Sequence, residues 1–117
     1  MPKLDASLRD QSIIEHILSY CNDIAVTHAE FGSSKERFIS SRTYQNAIGM
    51  CILQIGELVK HLSPDFIQNH SEIDWRAAAR ARDVYAHHYS HIDYDIAWET
   101  ATSVIDSLIA FCSDFLS

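Results

Sequence analysis

Glycine and proline are scarce in this chain, with three Gly and two Pro in 117 residues. A strand-and-turn fold needs more breakers than that, so the shortage points to long uninterrupted helices. No stretch approaches the roughly 18 apolar residues that a membrane-crossing helix requires, so no membrane association is expected. The opening MPKLDASLRDQ has no apolar run after its basic residue, so no secretory signal is expected and the cytoplasm is the expected compartment. Cys21, Cys51 and Cys112 are odd in number, far apart and without C-x2-C spacing. That argues against a disulfide framework or a cysteine zinc site and for buried free thiols. Basic residues are also few: nine Lys and Arg against sixteen Asp and Glu give a formal net charge of −7. Such a balance argues against a general, strongly electrostatic nucleic-acid binder, so any nucleic-acid contact would be local. No internal repeat, low-complexity tract, Gly-rich phosphate loop, serine nucleophile context or dinucleotide-binding signature is present. Residues 1–117 read as a single domain.

What is present is helical periodicity. Leu8, Ile13, Ile14, Ile17, Leu18, Cys21, Ile24 and Ala25 recur at three- and four-residue spacing and form one apolar stripe. It fades after His28, and Gly32-Ser33-Ser34 marks a turn, with a short helical turn possible over 35–39. A second stripe carries Tyr44, Ala47, Ile48, Cys51, Ile52, Ile55, Leu58, Val59 and Leu62. Ser63 can cap a following short helix, with Pro64 at its first position. A third helix is expected from Asp74 to about His88. Asp93 can cap the last one, whose wide apolar face includes Ile96, Ala97, Trp98, Ala101, Val104, Ile105, Leu108, Ile109, Phe111, Cys112, Phe115 and Leu116. So broad a face suits a helix packed on two sides, in a bundle centre or at a subunit interface. The expected fold is all-α, a four-to-five-helix up-and-down bundle.

The charge is uneven. Residues 92–117 hold five acids and no Lys or Arg, whereas Arg76, Arg80 and Arg82 lie within seven positions. The segment Arg82-Asp83-Val84-Tyr85-Ala86-His87-His88-Tyr89, followed by His91, combines a permanent cation with groups that titrate near neutrality. Arginine can hold a phosphate through two hydrogen bonds, and histidine can move a proton to or from a sugar hydroxyl. RNA cleavage needs those two capacities, and a metal is optional. On an ideal helix, however, Arg82 and His87 point roughly 140° apart. A bend near Ala86, the reach of arginine, or a two-fold dimer pairing two copies of the helix end would each resolve this. Plainer roles remain open: Arg76 and Arg80 as solvated charges, and His87, His88 and His91 as polar residues at a helix C-terminus. A metal site would need His87 and His91 with Asp93 or Asp95, and no H-E-x-x-H or cysteine cluster accompanies them.

Arg82-x4-His87-x-Tyr89 resembles the signature of the HepT branch of HEPN domains. Three further segments resemble that family in order: Gln54-Ile55-Gly56-Glu57-Leu58, Ile73-Asp74-Trp75, and Ile92-Asp93-Tyr94-Asp95-Ile96-Ala97-Trp98. The resemblance implies a HEPN-like helical homodimer with the motif helices at its interface, acting as a metal-independent endoribonuclease toxin without a cofactor. Arg82 would bind the scissile phosphate, His87 would serve as general base or acid, and Asp83 would orient one of them. It also implies a minimal nucleotidyltransferase antitoxin (MntA-like) that silences the toxin by AMPylation of Tyr89. Bulk and negative charge beside Arg82 would suffice to inhibit. Gly56 and Glu57 are left as a packing glycine and a surface or capping acid. A competing reading, favoured by the acidic balance, is a non-catalytic helical dimer that is partner and substrate of a nucleotidyltransferase.

Overall fold

Long apolar stripes and few breakers give long helices, and side-chain caps decide where they stop. The computed structural model of the chain describes residues 2–87 and 89–117, with side chains from residue 6 onward except that of Tyr89. Helix accounts for 85% of the chain, and no strand occurs among the described residues. The first helix, α1 (Pro2–Glu30), runs most of the 50 Å length of the molecule. It ends in a Schellman motif: Ser33 N–H donates to His28 O at 2.7 Å, Gly32 N–H to Ala29 O at 3.4 Å, and Gly32 has φ +80°. Ser34 caps the short α2 (Lys35–Ser40), and Ser41 caps α3 (Arg42–Lys60) through the Tyr44 N–H.

Ser63 caps α4 (Pro64–Asn69), with Pro64 at the first position as its missing N–H allows. Here the cap is itself held: buried Asp10 on α1 accepts from Ser63 N–H at 2.8 Å and from Ser63 Oγ at 2.6 Å. Asp74 accepts from Ala77 N–H at 3.0 Å, opening α5 (Trp75–His87). The expected end of that helix at His88 lies outside the described residues. A 3-10 turn (Tyr89–His91) follows. Asp93 caps α6 (Tyr94–Glu99) by accepting from Asp95 and Ile96 N–H.

The last helix departs from the expected regular continuation. Between α6 and α7 (Ile105–Leu116), residues Thr100–Val104 form a π turn. The ring of His28, reaching across from α1, donates from Nε2 to Ala101 O at 2.8 Å, a carbonyl on that widened turn. With Nε2 committed to a carbonyl, Nδ1 shares a hydrogen bond with the buried Tyr44 hydroxyl. Phe31 stacks on Tyr44 at 4.5 Å, and Trp98 packs edge-on to His28 at 5.3 Å. A polar pair is thereby satisfied inside an aromatic shell that joins α1, α3 and α6.

The long helices α1, α3, α5 and the α6–α7 unit form the bundle, with α3 packed on both α1 and α5 and with α7 against α1. The three cysteines are free and buried. Burial pushes the Cys21 thiol to about 12 and Cys112 to about 11, so both stay protonated and unreactive at neutral pH.

The α3–α5 contact is set by two glycines seven residues apart on α3. A Cβ on Gly49 would lie 2.9 Å from the Tyr85 ring, and one on Gly56 would lie 2.1 Å from Arg82 Cβ and 3.0 Å from Ala78 O. Gly56→Ala therefore forces the two helices apart and should cost about 1–3 kcal/mol, the range for overpacking a tight contact. Gly49→Ala, which meets an aromatic ring rather than backbone and a Cβ, should cost less. Urea unfolding of both variants beside the parent checks the order.

Candidate active site on the motif helix

The helix α5 buries Trp75, Ala78 and Tyr85, at offsets of three and ten residues from Trp75 that mark its inner face. Arg82 belongs to that face, seven residues after Trp75, and its side chain is 27% exposed. The opposite line is Arg76, Arg80, Val84 and His87, all exposed.

Arg82 leaves α5 directly over Gly56, and its guanidinium reaches two carboxylates. Nε lies 3.5 Å from Glu57 Oε2 on α3, and Nη1 donates to Asp83 Oδ1 at 3.2 Å. Lys60, in the last turn of α3, donates to the same Asp83 oxygen at 2.7 Å. Glu57 also faces His61, whose Nε2 lies 3.4 Å from Oε1. Glu57, Arg82, Asp83 and Lys60 thus form an alternating chain of charge across the two helices. The Lys60 hydrogen bond is the largest influence holding the Asp83 carboxyl below its usual range, and the Arg82 hydrogen bond adds to it.

His87 ends α5 and is exposed. Among the described residues, no hydrogen bond or ion pair joins it to Arg82. Tyr89 begins the following 3-10 turn, but its side chain lies outside the described residues, as does His88. The described residues also gather no group of three His, Cys, Asp or Glu side chains fit to hold a metal ion. Beside the motif, a groove of 320 Å³ is lined by Ala81, Val84, Tyr85, Ile92 and Ile96 among others.

Reading the sequence alone missed Glu57 as a neighbour of Arg82. The signal was available, since a glycine followed by an acid in the middle of an apolar helix marks a close approach with a charge beside it. Sequence could not say which helix came close.

The family model described as "Ribonuclease HepT-like" matches residues 11–115. The chain belongs to this HepT-like family of the HEPN superfamily. Similar proteins include a candidate RNase of Methanocaldococcus jannaschii, 32% identical over 102 residues, spanning 85% of this chain and 77% of the relative. A candidate RNase of Caldanaerobacter subterraneus subsp. tengcongensis is 34% identical over 95 residues, 81% of this chain and 83% of its own length. A candidate ribonuclease HepT of Thermococcus cleftensis is 37% identical over 73 residues, covering 62% and 66%. No solved structure matches the chain significantly. The all-α bundle expected from periodicity and from the HepT resemblance is the observed fold, and no helix among the described residues is long and apolar enough to cross a membrane.

The charge chain has a pH signature. A carboxyl held low in the folded state contributes stability above its unfolded value of about 3.9 and loses it as pH falls through the folded value. Lys60→Ala should move the Asp83 carboxyl back toward the ordinary range and shift this loss to higher pH. A ¹³C carboxyl titration by NMR reads it directly; an unchanged Asp83 titration would contradict the assignment.

Proposed function

We propose that this HepT-like protein is a metal-independent endoribonuclease, the toxin of a toxin–antitoxin pair, with a composite site where two copies meet. The observation that carries this reading is Arg82, a half-buried cation held by two carboxylates on the motif helix of a ribonuclease family. In the proposed reaction, Arg82 binds the scissile phosphate and offsets the charge that grows on its non-bridging oxygens. The 2′-hydroxyl attacks phosphorus, losing its proton to a neutral imidazole, and the departing 5′-oxygen takes a proton from an imidazolium. His87 supplies the proton transfer, and Asp83 orients Arg82.

Two protein copies fit this chemistry better than one. The single chain leaves Arg82 and His87 on different faces of α5, whereas a two-fold axis beside the helix end supplies two of each. Val84 and Ile96, 41% and 65% exposed, provide apolar surface on that side. Covering Val84 would bring a partner against Arg80 and His87, which share its line. Tyr89 is the proposed acceptor of AMP from an MntA-like nucleotidyltransferase antitoxin. The added phosphate would compete for Arg82.

The net charge of −7 favours a second reading, in which the chain is a non-catalytic dimer that serves as partner and substrate of the nucleotidyltransferase. Incubating the purified protein with a labelled mixed RNA in EDTA separates the two. Cleavage is expected from the parent and should fall at least about 100-fold in His87→Ala and Arg82→Ala, the usual scale for losing an acid–base group or a charge-stabilising donor. A dimeric parent of unmodified intact mass that leaves RNA uncut would favour the second reading.

A further inference from the structure

Arg82 can serve a phosphate only if its guanidinium faces the substrate in a fixed plane, and an arginine side chain has several rotatable bonds to lose. Three contacts remove that freedom. The stem sits in the notch over Gly56, where Cβ and Cγ have no room to move toward α3. The Nη1 edge donates to Asp83, the next residue on the same helix. The Nε edge faces Glu57 at 3.5 Å, from the other helix. Asp83 alone would leave the guanidinium free to pivot with its own helix surface, because both groups are carried by α5. Glu57 ties the plane to α3 as well, and it leaves Nη2 without a partner among the described residues.

We infer that Glu57 is a positioning residue for Arg82, fixing the guanidinium so that its Nη2 edge meets the RNA phosphate. The inference rests on the ribonuclease reading above. Glu57 itself touches no reacting atom, and its negative charge works against binding a polyanion. A group retained only for affinity would have the opposite sign. Loss of Glu57 therefore separates the two kinetic constants: the rate falls because Arg82 loses its aim, while RNA binding holds or tightens because an anion has left the site. His61, which faces the other Glu57 oxygen, and Lys60, paired through Asp83, are the remaining charged groups around it.

Steady-state cleavage of a short fluorescent RNA should show kcat reduced by up to about 100-fold in Glu57→Ala, the scale for a catalytic group displaced by about 1 Å, with KM equal to or below the parent's. Glu57→Gln keeps an oxygen in place to face Nε–H and should stay within about threefold of the parent. Equal kcat in Glu57→Ala and parent, with Arg82→Ala inactive, would overturn the inference while leaving the ribonuclease reading intact. If the parent itself cuts no RNA, that reading fails, and the positioning is judged by NMR. The Arg82 Nε–H should be ordered in the parent and in Glu57→Gln and mobile in Glu57→Ala. Equal order in all three would overturn it.

Discussion

At Gly56 the backbone of α3 lies so near α5 that Arg82 Cβ fills the volume a side chain would need. Much of the site's geometry follows from that contact. It fixes which face of α5 turns inward, and so it makes Arg82 a half-buried residue instead of a solvated one. It brings Glu57, one residue on, beside the guanidinium, and Lys60, one turn further, beside Asp83. The apolar partners Trp75, Ala78 and Tyr85 supply the burial that holds the helices together. The glycine sets how close they come.

The electrostatics follow from the same placement. Two cations and two carboxylates alternate across the helix pair, so the cluster is close to neutral before any substrate arrives. That composition suits orientation more than affinity. An exposed ion pair adds little stability, since water and salt screen it. A series of pairs that share atoms can still restrict where each side chain points. An acidic protein that handles RNA through such a cluster would bind it weakly and respond to salt through few phosphate contacts. Weak binding is compatible with cleavage when the cation meets the phosphate in a fixed geometry.

Periodicity was enough to read the helices, because each apolar stripe needs a partner and few residues interrupt it. Caps were legible for the same local reason: Ser63-Pro64 and Asp93 satisfy helix-end N–H groups within a few residues. What sequence could not carry were contacts between distant segments. His28 looks like the end of a stripe, yet it bonds a carbonyl 73 residues away, on the turn where the last helix widens. Asp10, an acid between Leu8 and Ile13 of the first stripe, is buried beneath the cap of a helix more than fifty residues on. At the site, Arg82 and His87 were legible as chemistry, and their divergence on one helix was legible as geometry. Glu57 was visible only as a neighbour of a glycine until α5 was placed beside it.

The divergence itself carries the last step. Arg82 is fixed inward over Gly56, while His87 stands exposed at the helix end on the same line as Val84, Arg80 and Arg76. A single copy therefore separates the proposed phosphate-holding group from the proposed proton-carrying one. A second copy laid along the outward line would cover Val84 and the apolar groove it lines with Ile92 and Ile96, and in doing so would meet His87. Two-fold symmetry makes the arrangement reciprocal, so whatever one helix end offers its partner it also receives. In such a protein the step that completes the site is association, and a modification at the adjoining turn would act on both association and phosphate binding at once.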